Sequence, residues 1–346
     1  MQESSDGGTG AADVGVAIDT LGRYLEERVP GFGGLRSVGK FAGGQSNPTF
    51  RLDAATGTYV LRRKPPGRLL PSAHAIDREY RVLGALAATA VPVPKVLHYC
   101  ADEAVLGSPF YVMEHVCGSV HWDGRLPGLE PTLRRRIYAE MNRVLAALHE
   151  VVPADVGLAD YGRPGGYYER QVRRWTEQYR AAETDVRPAM ELLIDWLPGH
   201  LPSDDGQVAI THGDFRLDNF VFTPEGRAAA LLDWELSTLG HPYADLAYQC
   251  AQWRLPPGTL RGLGGVDRAA LGLPTEAEYV AAYREARRLQ PIDGWPFYLA
   301  VSLFRLASIC QGVYRRGLDG NASSPDAPDF GRRVDVIAGT AVDLIR

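Results

Sequence analysis

Lysine is nearly missing from this chain of 346 residues: only Lys40, Lys64 and Lys95 occur among 37 basic side chains, and the rest are arginines. That skew is compatible with genome composition and carries no functional argument. Cysteine is also sparse. Cys100, Cys117, Cys250 and Cys310 lie far apart without metal-ligand spacing, and no signal-peptide pattern opens the chain. Reduced, structural thiols in a cytoplasmic protein are therefore expected. No long apolar run is uninterrupted: the best candidate, 295–313, contains Arg305 and runs into Arg315-Arg316. It reads as a buried helix, and no membrane partner is expected. A formal charge of -5 does not suggest a polyanion binder, so no nucleic-acid partner is expected either. There is no internal repeat, heptad series or charged tail, and nothing in the sequence determines the oligomeric state.

What is present is enough length for two subdomains. Residues 1–11, MQESSDGGTGA, are Gly/Ser-rich and predicted to be a disordered tail. Residues 12–29 read as a helix. SVGKFAGGQSNPTFRLDAATGTYVLRRKP then reads as strands separated by AGGQSN and ATG, with the alternation of a half-buried antiparallel sheet. Residues 72–88 place Ile76, Tyr80, Leu83 and Ala87 at helical spacing, and KVLHYC and PFYVMEHV are strand-like. From about 130 onward the pattern is mainly helical, as in the Ile137, Met141, Leu145, Leu148 stripe. An α+β fold of two lobes is expected: a β-rich lobe at 12–116 and a larger, mainly helical lobe at 117–346.

One polar constellation interrupts the second half. His212, Asp214 and Asn219 fall in THGDFRLDNF, and Asp233 follows the short apolar runs FVF and AAALL. Those two runs suit a hairpin that would return Asp233 toward Asn219. Magnesium takes hard oxygen ligands and keeps several waters, so one carboxylate, one amide oxygen and substrate phosphates can hold it. A further carboxylate kept off the metal can accept a proton from an attacking hydroxyl. HGD by itself is an ordinary surface turn; the ordered set HGDFRLDNF, LLDWE and GHPYADLA is specific.

That set resembles the aminoglycoside phosphotransferase-like family, which shares the protein-kinase-like fold. The resemblance implies ATP and Mg²⁺ as cofactors, Asp214 as base or hydroxyl-orienting group, and Asn219 with Asp233 as metal ligands. It makes His212 a brace and Asp245 a structural support of the loop. Asp218, next to Asn219, reads as solvent-facing or structural. On the nucleotide side, Gly43, Gly44 and Ser46 in AGGQSN would cover phosphates, although the same segment is an ordinary β-turn. Arg62 stands where the superfamily carries a lysine, and Lys64 has the same strand parity. Glu79 would pair with that cation or else face solvent. Glu114 and Val116 would present backbone groups to adenine, with Met113 near the apolar slot.

YVLRRKPPG, LLPSAHAIDREYRVL, VPVPKVL and FYVMEHVCG extend the likeness to the phosphotransferase-like domains associated with acyl-CoA dehydrogenases. The implied reaction is ATP-dependent phosphorylation of a small-molecule hydroxyl, on a hydroxyacyl-CoA-like or aminoglycoside-like acceptor. The alternatives are a nucleotide-binding regulatory module with little turnover and a kinase for protein hydroxyls. Tyr161, Tyr167, Tyr168, Arg173, Arg174, Trp175 and Tyr179, within 155–205, either line the acceptor site or pack helices beneath an arginine-rich solvated face.

Overall fold

A computed structural model describes residues 17–41, 47–65, 75–320 and 326–346. The expected tail at 1–11, and with it Gly43, Gly44 and Ser46, lie outside these residues. The chain divides into two units. The first runs to Val120 and also takes Phe220–Pro224 and Ala229–Leu236; the second contains His121–Asn219, Glu225–Ala228 and Ser237–Arg346.

The first unit is built on β1 (Leu35–Lys40), β2 (Thr49–Ala54), β3 (Gly57–Arg63), β4 (Val96–Cys100) and β5 (Phe110–Glu114). They form one antiparallel sheet in the order β1-β2-β3-β5-β4. Alternation along β2 buries Phe50 and Leu52 against Leu61, Phe110 and Val112, and helix α1 (Ile18–Arg28) adds Leu21 and Leu25 to that core. Helix α2 (Ile76–Leu86) buries Ile76, Glu79, Val82, Leu83 and Leu86. Its inward face is therefore rotated from the stripe that periodicity suggests, with Glu79 fully inside and Tyr80 only half-buried. A charged residue can hold an inward position only when its partners come with it, and here they do.

The second unit carries α3 (Pro131–Glu150), α4 (Tyr167–Ala182), α5 (Pro188–Trp196), α6 (Tyr243–Cys250), α7 (Glu276–Ala286), α8 (Trp295–Leu318) and α9 (Phe330–Ile345). Proline at the first position starts α3, and a Thr275–Glu278 capping box starts α7. Helix α8 is long and apolar enough to cross a membrane, yet 67% of its apolar window is buried inside the protein. Helices α4, α6 and α9 pack on it. A helix apolar all round belongs in a core of this kind. The pair FVF and AAALL forms β7 (Phe220–Phe222) and β8 (Ala228–Leu231), joined in a two-stranded sheet as expected. A second pair, β6 (Ala209–Thr211) and β9 (Thr238–Gly240), delivers the chain to His212. All four cysteines are free, three of them buried.

Candidate active site

The loop that leaves β6 is shaped by one buried carboxylate. Gly213 has φ 81°, a left-handed conformation that glycine adopts without a Cβ penalty. In that turn the His212 N–H (2.6 Å) and Gly213 N–H (2.8 Å) both donate to the Asp245 carboxylate, in the first turn of α6. Asp245 is 1% exposed, and His149 from α3 stands 3.4 Å away. Burial pushes the Asp245 carboxyl up, but His149, His212 and the amide donors outweigh it and hold the group below the usual carboxylate range. His212 braces the loop from within, its Nδ1 accepting the Asp214 N–H at 3.2 Å.

Asp214 itself sits in a cage of donors. Its Oδ2 accepts from Arg216 Nε at 2.8 Å and Asn219 Nδ2 at 3.0 Å, and its Oδ1 accepts from the Tyr248 hydroxyl at 2.7 Å. The Asn219 amide also donates to the Asp214 carbonyl at 2.8 Å, which locks the two residues together. Burial raises the Asp214 carboxyl, whereas Arg216, the Tyr248 hydroxyl and Arg305 lower it by more, leaving it below its ordinary value. Arg305, on α8, donates to the Gly213 carbonyl and lies over the Tyr248 ring at 4.9 Å.

A depressed pKa has a kinetic consequence. Asp214 stays ionised through neutral pH, so kcat against pH should show no acidic limb until below the ordinary carboxylate range. A limb near neutrality in the measured profile would contradict this environment.

The sequence pattern assigns Arg216, Tyr248 and Arg305 no role here. Signals existed: Arg216 follows Asp214 by two positions, Tyr248 lies three after Asp245 on the same helix, and Arg305 is the charge interrupting the apolar run. Asp218 takes the structural alternative. Its side chain, 1% exposed, pairs with Arg261 and, at 3.3 Å, with Arg216.

In the first unit, β3, α2 and the segment after β8 bring Arg62, Glu79 and Asp233 together. Arg62 Nε lies 3.0 Å from Glu79 Oε2, its Nη2 donates to Asp233 Oδ1 at 2.7 Å, and Glu235 is 3.7 Å away. The Trp234 N–H reaches Glu79 Oε1 at 3.4 Å. Burial tends to raise the Glu79 carboxyl and Arg62 opposes it; Glu79 and Asp233 in turn hold the guanidinium firmly protonated. Glu79 thus takes the paired alternative, not the solvent-facing one. Lys64 lies past the end of β3, so strand parity does not carry to it.

A guanidinium offers separate nitrogens to two carboxylates, which an ammonium on a flexible stem cannot match. Arg62→Lys should therefore cost roughly 1.5–3 kcal/mol, the worth of one charged hydrogen bond, read as a lower denaturant midpoint. An unchanged midpoint would mean that the fork is not used.

Asp233 has φ 64°, a left-handed backbone uncommon outside glycine and costing about 1–3 kcal/mol. Its Oδ2 and the Asn219 Oδ1 have no protein partner among the described residues. No cluster of three His, Cys, Asp or Glu suited to a metal occurs among them. Asp233 Oδ2 in the first unit and Asn219 Oδ1 in the second are each a hard-oxygen donor of the kind that magnesium takes, an ion that leaves most of its shell to water and phosphate.

The first unit also holds a cleft of ≈ 490 Å³. Val60, Met113, Val221 and Leu232 give it apolar walls, and Glu114 and Val116 line its edge. The Glu114 N–H is occupied by the Lys95 carbonyl at 2.9 Å, whereas Val116 has no backbone partner among the described residues. Of the aromatic residues in 155–205, Tyr161, Tyr168, Trp175 and Tyr179 are buried. Tyr167 is half-buried, and Arg173 and Arg174 are exposed.

A model of the phosphotransferase enzyme family matches residues 37–297. The mouse protein named acyl-CoA dehydrogenase family member 10 is 49% identical over 334 residues, covering 94% of this chain and 31% of that protein. Human acyl-CoA dehydrogenase family member 11 is 43% identical over 351 residues, covering 98% of this chain and 45% of that protein. The chain therefore spans less than half the length of these curated relatives. A crystal structure from Ralstonia eutropha, provisionally named an aminoglycoside phosphotransferase, superposes with a TM-score of 0.87 at 49% identity, covering 95% of this chain and 98% of that one. Spectinomycin phosphotransferase, at 12% identity and a TM-score of 0.65, shares the fold, covering 95% of this chain and 99% of its own. The α+β arrangement, β-rich first and more helical after it, is the protein-kinase-like one.

Proposed function

This chain belongs to the phosphotransferase enzyme family, and on that premise we propose that it transfers the γ-phosphate of ATP to a hydroxyl of a small molecule. The observation that carries the reading is the Asp214 cage: a carboxylate kept ionised, aimed by Arg216 and Tyr248, and tied to Asn219. In this reading Asp214 orients the acceptor hydroxyl and receives its proton. The acceptor oxygen bonds to the γ-phosphorus, the bond from that phosphorus to the β–γ bridging oxygen breaks, and ADP leaves.

Adenine would sit between Val60, Met113, Val221 and Leu232, with the Glu114 carbonyl and the Val116 N–H as its polar edge. Arg62, steadied by Glu79, would meet phosphate oxygens, together with Gly43, Gly44 and Ser46. Asn219 Oδ1 and Asp233 Oδ2 would hold magnesium, which supplies charge neutralisation on the phosphates when bound. Every other contribution is positioning and fixed charge. The acceptor is then hydroxyacyl-CoA-like or aminoglycoside-like: the relatives' names carry the words acyl-CoA, and the crystal structure's name the word aminoglycoside. Free, mostly buried cysteines support a cytoplasmic setting.

A second reading has one observation in its favour: Arg62 draws on Asp233, an oxygen source that the metal would share. A nucleotide-binding module with little turnover follows if that pair persists. Transfer of labelled γ-phosphate to hydroxyacyl-CoA thioesters, sugars and amino alcohols separates the two. Transfer to one of these classes, abolished by a chelator, is expected. Magnesium-dependent ATP binding with no transfer to any of them would sink the enzyme reading and leave the module.

A further inference from the structure

Beside Asp214, within the second unit, lies a small pocket that no step above uses. Arg216, Gln249, Gln252 and Arg261 supply its polar wall, and Tyr248 with three leucines completes it. Gln249 is 1% exposed, and neither its Oε1 nor its Nε2 has a hydrogen-bond partner among the described residues. Gln252, 8% exposed, donates from Nε2 to the Gln249 carbonyl at 3.0 Å, while its Oε1 is unpartnered among the described residues. Arg261 bonds Asp218 through Nη2, and its Nε is buried without a partner among the described residues.

Buried side-chain polar atoms in proteins are overwhelmingly hydrogen-bonded, so four orphans round one pocket call for a polar occupant. Both charged side chains lining the pocket are arginines; the carboxylates of Asp214 and Asp218 lie behind them, already engaged. Leu260, another lining residue, is held at φ 51°, a left-handed conformation that costs a non-glycine residue strain.

We infer that this pocket is the acceptor subsite for an anion: the hydroxyl presented to Asp214 belongs to a molecule whose carboxylate or phosphate is held by Arg216 and Arg261, and whose own O–H or N–H donors meet the Gln249 and Gln252 oxygens. The inference rests on Asp214 being the acceptor-facing group of the proposed reaction, and it narrows the acceptor class. A polycation such as an aminoglycoside would bring positive charge against two guanidiniums, with Arg305 close behind. A hydroxylated acid or phosphate ester meets complementary charge.

The test is titration of the MgADP-loaded protein with glycerate, glycerol 3-phosphate, glycerol and serinol, a series sharing one small polyol frame and differing in charge. The anionic members should bind about tenfold more tightly than glycerol, the worth of one charged hydrogen bond. Serinol should bind worst. The stronger of glycerate and glycerol 3-phosphate identifies the anion as carboxylate or phosphate. Arg261→Gln should remove that preference, and Gln249→Glu should reverse it in favour of serinol, with ADP affinity unchanged in both. Should either variant fail to fold by circular dichroism, Arg261→Lys provides the readout through a weakened anion preference.

Equal binding of glycerol and glycerate, no binding of either anion at millimolar concentration, or an anion preference untouched by these substitutions would overturn the inference. No phosphate moves in the titration. Anion binding that responds to Gln249 in a protein without transfer would therefore leave the pocket standing while the phosphotransfer reading falls. Transfer to a cationic acceptor would do the reverse.

Discussion

Asp214→Ala should lower kcat for phosphate transfer by about 10²–10⁴-fold, the range that a positioned proton acceptor contributes, and leave ATP affinity nearly unchanged. The argument is local. Asp214 is the acceptor for Arg216, Tyr248 and Asn219 in the second unit, whereas the apolar cleft and the Arg62–Glu79–Asp233 group belong to the first. Removing the carboxylate takes away the group that aims the hydroxyl, and nothing that would grip the base or the ribose.

Asp214→Asn separates charge from shape. It can still accept from Tyr248, so a loss near that of the alanine variant would assign the effect to the negative charge and its proton affinity. Single-turnover measurement at saturating ATP is the suitable check, since it isolates transfer from product release. A variant that turns over an identified acceptor at the wild-type rate would remove Asp214 from the mechanism.

Asp245→Ala should be the most destabilising substitution around the site, by roughly 3–5 kcal/mol. It deletes the carboxylate that accepts both backbone donors, at a position 1% exposed, and it takes that carboxylate away from His149. Chemical denaturation measures the loss directly. Activity should fall as well, because the turn that carries Asp214 is the one that Asp245 holds. Asp245→Asn should recover part of both, since an amide oxygen can serve only one side of that double contact.

The pH dependence has a definite sign. The folded-state carboxyl of Asp245 is depressed, so its contribution to stability is complete above the unfolded carboxylate value and is lost as pH falls through the folded one. The alanine variant should accordingly lose less stability than the wild type on acidification through that window. A steeper acid loss in the variant would mean that another group dominates.

Much of this was legible along the chain because it is local. Helical stripes such as Ile137, Met141, Leu145 and Leu148 repeat within one element, and all four are buried. The two short apolar runs after Asn219 pair as a hairpin because little chain separates them. Glycine in HGD is explained by a turn that needs φ 81°, and the loop's ordering of His212, Asp214 and Asn219 is realised within eight residues. Elsewhere local periodicity misled: it offered Tyr80 for the buried face of α2, while the protein buries Glu79. The reason is the Arg62 guanidinium arriving from β3, which no helical pattern can reveal.

From the sequence alone came the element order, the α+β class, the polar motif and the kinship it signals, all of which depend on residue identity and spacing. Tertiary structure alone decided which side chains surround Asp214, that Arg62 answers two carboxylates at once, and that Gln249 is buried with its amide unspent. Those are contacts between segments tens to hundreds of residues apart. Burial and charge act through distance in space, and spacing along the chain does not encode it.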